Sequence, residues 1–186
     1  MTTVLTFDTS TRVGWFVGTS PSEPPIRFAT FKLPKTYDPD DYGKRAYPLF
    51  RQVHHLIEAY QPDVIGFESP FIPMKPKKKR YATTGGDKLG DDFTTTQHVL
   101  RLQIALATAI EIAVEQNNDF SDRKRIRCVE VATSSAKLAL AGSARLEDKK
   151  LDMVRAAWAR GWEVSDDHQA DAGGVFLVVC DALGIE

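Results

Sequence analysis

The chain has 186 residues, 42% of them hydrophobic and 26% charged, with a formal net charge of −1. This length allows one domain with a full hydrophobic core, and the composition is that of a folded globular chain rather than a disordered or fibrous one. A net charge so close to zero argues for no particular partner, so any electrostatic signal must come from where the charges sit.

The N-terminal "MTTVLTFD" has no basic segment leading into an apolar stretch, so no signal peptide is expected. "TVLTFD" and "VGWFVG" are short β-type runs joined by "TSTR", which predicts a hairpin. After the Pro-rich turn "SPSEPP", "IRFATFKL" (26–33) adds a third strand and completes an antiparallel meander. From about residue 40, Ala46, Phe50, Val53, Ile57 and Tyr60 recur at helical spacing, and "QPD" stops that helix. "VIGFE" (64–68) is a short apolar run of the kind found in buried parallel strands.

Residues 69–92 are rich in Pro, Lys, Gly and Asp and read as a long loop. "KPKKKR" within it places Lys75, Lys77, Lys78, Lys79 and Arg80 together, while acids gather elsewhere, in "DPDD" and "SDDHQAD". A near-neutral chain with a segregated basic loop can bind a polyanion locally. The stretch 94–114 is a long helix, apolar on nearly every side, which calls for burial by its own core and by a second subunit. No uninterrupted apolar run approaches the ~18 residues of a membrane span, so no membrane partner is expected. "IRCVEV" (126–131) is a fifth strand, and "SSAKLALAG" a short helix with Gly142 as its stop. Helices over 146–161 and about 167–183 complete the chain. Cys128 and Cys180 both lie in apolar context without metal-ligand spacing and read as reduced core residues of a cytoplasmic protein.

With no internal repeat, residues 1–186 read as a single domain. A three-stranded meander followed by strands with helical crossovers makes a mixed, five-stranded α/β sheet flanked by helices. Two carboxylates then stand out. Asp8 ends the first strand and Glu68 the fourth; if those strands are neighbours, both emerge at one sheet edge. Buried acids are costly unless paired or holding a metal. In "DDHQADAGGVFLVV", His168 and Asp171 are three apart and share a helix face, with Asp167 near it. Asp166 and Asp167 suit capping of that helix, whereas Asp171 lies beyond its first turn. Gly173 and Gly174 cost helix stability and suggest close approach of another backbone or of substrate.

Asp8 in "FDTSTRVGW", Glu68 in "PDVIGFESPF" and "HQADA" at the head of the last helix together resemble the RuvC-type Holliday junction resolvases, a branch of the RNase H-like nuclease superfamily. The resemblance runs nearly end to end. "GSARLEDKKLDMVRAAWARG" is similar to the family's glycine–small–small stretch and lysine-bearing helix. It implies that Asp8, Glu68 and Asp171 are acidic metal ligands and that His168 takes a fourth position, where the family uses aspartate or histidine. Phe71 falls on an aromatic residue that wedges into the junction, and Lys149 or Lys150 near a lysine that touches the DNA backbone. The loop after Phe71 is longer than in the family, and the helix after it lacks a glycine usual in bacterial members. Phage-encoded members vary in these features, so a bacterial host or a phage is the expected source.

The implied function is a metal-dependent, structure-selective endodeoxyribonuclease, a hydrolase that resolves Holliday junctions or other branched DNA (forks and flaps included) by paired nicks. In such chemistry two divalent ions about 3.5–4 Å apart activate the attacking water and stabilise the leaving oxygen. Mg²⁺, which favours a few carboxylates plus phosphate and water, suits that role, with Mn²⁺ as substitute. Asp8 would bridge the two ions, Glu68 would serve the one nearer the water, and Asp171 the other. His168 would complete a ligand shell or move a proton near neutral pH. The Lys75–Arg80 run would neutralise phosphates and Phe71 would stack on an unpaired base. A two-fold junction implies a homodimer, with helix 94–114 as its interface. Two alternatives remain: an actin-like or sugar-kinase-like ATPase, in which "DTSTRVG" cradles phosphates, and a non-catalytic nucleic-acid-binding member of the fold.

Overall fold

The computed structural model describes residues 1–35, 41–70, 89–120 and 124–186, with side chains described from residue 97 onward in the third of these spans. Val4–Phe7 form β1, Arg12–Gly18 β2 and Arg27–Lys32 β3; helix α1 spans Tyr42–Tyr60 and strand β4 Val64–Glu68. Helix α2 spans Leu89–Phe120, β5 Arg127–Val131, α3 Thr133–Ala141, α4 Lys149–Ala159 and α5 Asp167–Leu183. The strands lie in the order β3-β2-β1-β4-β5. β1 to β3 are antiparallel neighbours, and β4 runs parallel to both β1 and β5. This is the mixed α/β sheet expected from the sequence.

Alternation along β1 explains the layering. Leu5 and Phe7 point into a core built with α1 and α2, while Val4 joins the opposite core with α3, α4 and α5. β1 is thus central, covered on both faces, and every one of its residues is buried. On α1 the fully buried places go to Ala46, Leu49, Val53, Leu56 and Ile57; Phe50 and Tyr60 pack at the rim. On the other face, Phe16 meets the rings of Trp162 and Phe176 at 4.8 and 5.0 Å between centroids. Each such fully buried ring stabilises the fold by roughly 2–3 kcal/mol.

Several expectations shift. α2 begins at Leu89, inside the span read as loop, and runs on to Phe120. Its segment Gln97–Phe120, 24 residues, is long and apolar enough to cross a membrane by length and composition. Arg101 and Glu111 break the run in sequence, which is why no uninterrupted apolar stretch is visible there. Leu102, Leu106, Ile110, Ala113 and Val114 of this helix are buried in the core shared with α1, leaving Val99, Ile104 and Ile112 exposed. α4 starts at Lys149, later than expected, because Asp148 accepts a hydrogen bond from Leu151 N (3.3 Å) and so caps the helix. Cys128 is exposed rather than buried, since β5 is an edge strand; Cys180 is buried as expected. Gly142 ends α3 in the left-handed region at φ 71°.

The two glycines of α5 pack against protein, not open space. A Cβ on Gly174 would lie 2.7 Å from Ala136 O of α3, and one on Gly173 would lie 3.0 Å from the Trp162 ring. Absent side chains here let α3 and the 162–164 segment press directly on α5.

Candidate active site

β1 and β4 are parallel neighbours in register, Phe7 opposite Phe67, so Asp8 and Glu68 leave the sheet at the same edge. Thr9 fastens that edge: its hydroxyl donates to Glu68 O at 2.9 Å, tying the chain after β1 to the end of β4. Asp8 is 3% exposed and Glu68 5%.

α5 brings the third acid. Its N-terminus is bolted to the sheet by buried polar contacts. Thr6 donates to Ala172 O at 2.8 Å. Asp166 caps the helix by accepting from Gln169 N (2.9 Å) and also accepts from the Thr30 hydroxyl (2.6 Å) of β3. Gln169 in turn donates to Thr30 Oγ1 and Ser165 Oγ. Gly14 of β2 makes the approach possible, because a Cβ there would sit 1.9 Å from His168 O. With the helix seated so closely, His168 and Asp171 face the sheet edge.

His168 Nδ1 lies 2.7 Å from Asp8 Oδ2, and the bond requires the proton on Nδ1. Ser10 Oγ joins them, 3.0 Å from Asp8 Oδ2 and 3.1 Å from His168 Nδ1, and also reaches Arg12 O. The hydrogen bond that His168 donates to Asp8 is the main cause that raises the His168 pKa above its ordinary value, against some desolvation.

Glu68 is pushed up to about 8, first by burial and then by the negative charges of Asp8 and Asp171. Asp171 is pushed up to about 7, again by burial first and then by Asp8. Each keeps a buried oxygen, Glu68 Oε1 and Asp171 Oδ1, with no hydrogen-bond partner. Three carboxylates that repel one another in a dry site, two with orphaned oxygens, are a donor set for hard divalent cations. Among the described residues, no three His, Cys, Asp or Glu side chains are close enough to enclose an ion as they stand.

No family model matches the chain, and no curated protein matches it by sequence. Two solved structures are similar to it across almost their whole length. The Thermus thermophilus RuvC structure shares 13% identity at a TM-score of 0.63, over 98% of this chain and 97% of that one. T. thermophilus RuvC in complex with Holliday junction substrate shares 13% identity at a TM-score of 0.65, over 99% and 97%. The fold is that of RuvC. At this identity the likeness to RuvC carries architecture only, so the side chains must be judged on their own geometry.

On that geometry Asp8, Glu68, His168 and Asp171 lie near one another at one edge of the sheet, close enough for a hydrogen bond between His168 and Asp8 and for the charges to act on one another. Lys149 and Lys150 open α4; Lys150 Nζ lies 3.4 Å from Asp167 Oδ2, which places the start of α4 beside the first turn of α5. Phe71, Lys75, Lys77, Lys78, Lys79 and Arg80 lie outside the described residues. Sequence reasoning missed three participants. Lys137 of α3 sits near enough for its charge to lower both Glu68 and Asp171, opposing their rise. A lysine on a short helix gives no signal of that placement. Ser10 and Gly14 were visible only as hairpin residues, though a glycine inside a strand was a cue for close backbone approach.

Proposed function

We propose that the chain is a metal-dependent endonuclease that hydrolyses phosphodiesters in branched DNA, four-way junctions above all. The observation that carries this reading is the pair of orphaned, buried carboxylate oxygens on Glu68 and Asp171, set beside Asp8. A buried acid without a partner costs stability, and a bound cation is the partner that removes the cost. The likeness in fold to a RuvC held in complex with Holliday junction substrate favours branched DNA as the class of substrate.

Asp8, Glu68 and Asp171 would hold Mg²⁺, or Mn²⁺ in its place, as a pair of ions. When bound, such ions lower the pKa of water and stabilise the leaving oxygen of an in-line displacement. The chain's own groups do the positioning. Ser10 and His168 fix Asp8 Oδ2 and so set the orientation of the Asp8 carboxylate. With Nδ1 committed to Asp8, the neutral His168 ring keeps Nε2 as its open acceptor. Lys137 offsets part of the acids' charge. Paired nicks on a two-fold junction need two such sites, and the exposed Ile104 and Ile112 on α2 supply an apolar surface for a homodimer. We assign Lys149, Lys150 and the Lys75–Arg80 run to phosphate contacts and Phe71 to base stacking.

The test offers matched four-way, forked and linear duplex DNA to the wild type and to Asp8→Asn, with Mg²⁺, Mn²⁺ or chelator. Metal-dependent paired nicks in the four-way junction, lost in Asp8→Asn, are expected. Cleavage that persists in chelator, or in Asp8→Asn, contradicts the reading.

A further inference from the structure

Arg12 and Lys32 are directly opposite each other in the antiparallel β2–β3 ladder. Like charges in that position repel. Neither makes an ion pair among the described residues, and both side chains are exposed. The alternation of side chains places them. Gly14 and Thr30 form the next register pair but one, and both face α5: a Cβ on Gly14 would strike His168 O, and Thr30 donates to Asp166. Arg12 and Lys32, two residues along each strand, therefore share that face, on the rung just beyond the point where α5 begins. Both side chains on this rung are exposed among the described residues. The rung lies at the sheet edge where Asp8 emerges, since Asp8 N donates to Gly14 O and Ser10 Oγ bonds both Asp8 Oδ2 and Arg12 O.

Among the described acids of this edge, Asp8 Oδ2 is held by His168 and Ser10. Asp166 uses both carboxylate oxygens, one for Gln169 N and one for Thr30, and Asp167 pairs with Lys150. Two cations are thus held face to face at the rim of the acidic site, with no carboxylate counter-ion among the described residues. A phosphate between them would turn the repulsion into a two-sided attraction, and the guanidinium can grip it with two donors.

We propose that Arg12 and Lys32 form a clamp for a backbone phosphate of nucleic acid, on the β2–β3 flank of the acidic site. Lys149 and Lys150, at the start of α4 beside the first turn of α5, offer further cations near the same carboxylates. The identity of the ligand as nucleic acid rests on the nuclease reading; the clamp geometry does not.

The experiment measures equilibrium binding of a four-way junction in chelator, from 0.05 to 0.2 M salt, for wild type, Arg12→Gln/Lys32→Gln and the control Arg27→Gln. Arg27 is exposed at the far end of the same ladder, opposite Val17. Loss of two phosphate contacts should make the plot of log K against log salt shallower by about two, with roughly tenfold weaker binding at the low-salt end. Arg27→Gln should leave the slope within about half a contact of the wild type. An unchanged slope in the double variant, or an equal change in the control, overturns the clamp. Failure of the nuclease reading reads out separately: DNA bound with the predicted slope change but never cut in Mg²⁺ keeps the clamp and removes the enzyme.

Discussion

Replacing Glu68 by glutamine should make the metal-free protein more stable while removing its proposed activity. Glu68 is 5% exposed, has an unpartnered Oε1, and carries a pKa raised from 4.5 to about 8. A carboxyl whose folded pKa lies above its unfolded one favours folding while protonated. That contribution is fully present below the unfolded pKa and is lost as pH rises towards about 8. At about 1.4 kcal/mol per pK unit, ionising Glu68 in the folded protein costs as much as ~5 kcal/mol at pH 8. Part of that repulsion belongs jointly to Asp8 and Asp171, so a neutral amide of the same shape should recover on the order of 3 kcal/mol. For a chain of this size that corresponds to roughly 6–12 °C in Tm. At pH 5 both forms are largely neutral in the folded state, and the gain should fall below about 1 kcal/mol. The assay is thermal unfolding of wild type and Glu68→Gln from pH 5 to 8.5 in chelator, repeated with Mg²⁺. The variant should gain with rising pH in chelator, and Mg²⁺ should stabilise only the wild type. A variant no more stable than wild type at pH 8, or a gain that grows as pH falls, refutes the reasoning.

Other outcomes follow from the same geometry. Gly14→Ala should destabilise by roughly 2–4 kcal/mol, because the new methyl overlaps His168 O and must push α5 off the sheet; denaturant unfolding checks it. His168→Asp should keep metal-dependent cleavage but flatten the acid limb of the pH–rate profile, since protonation of the imidazole no longer contributes; an unchanged limb counts against its role. Lys137→Met removes the charge that lowers Glu68 and Asp171, so the rise of activity with pH should move to higher pH, and a shift to lower pH would contradict that assignment.

The strands and the antiparallel meander were legible because each strand is short, apolar and bounded by turn residues. That Asp8 and Glu68 share an edge was legible only on the condition that β1 and β4 are neighbours, which their parallel register meets. The same-face spacing of His168 and Asp171 was equally readable from "HQAD". What the sequence hid depends on contacts far apart in the chain. Gly14 looks like a weak strand residue until α5 is laid over it. Gly173 and Gly174 suggested close approach of another backbone or of substrate; Gly174 does meet the backbone of Ala136 and Gly173 the ring of Trp162, but which partners these are, thirty-eight and eleven positions away in sequence, was not readable. Lys137 belongs to a helix whose placement beside the acids is fixed by packing against α5, not by any local pattern. Cys128 has apolar sequence neighbours, but the edge position of β5 exposes it. The facing cations Arg12 and Lys32 become visible only once the register of β2 and β3 is known.

The account stands on a cation site formed by Asp8, Glu68 and Asp171. Soaking crystals of the protein in Mn²⁺ and recording anomalous scattering addresses it directly. The expected result is one or two Mn²⁺ peaks within bonding distance of all three carboxylates, with the oxygens of Glu68 and Asp171 turned onto them. Peaks elsewhere on the molecule, with these three side chains left as they are, would contradict it.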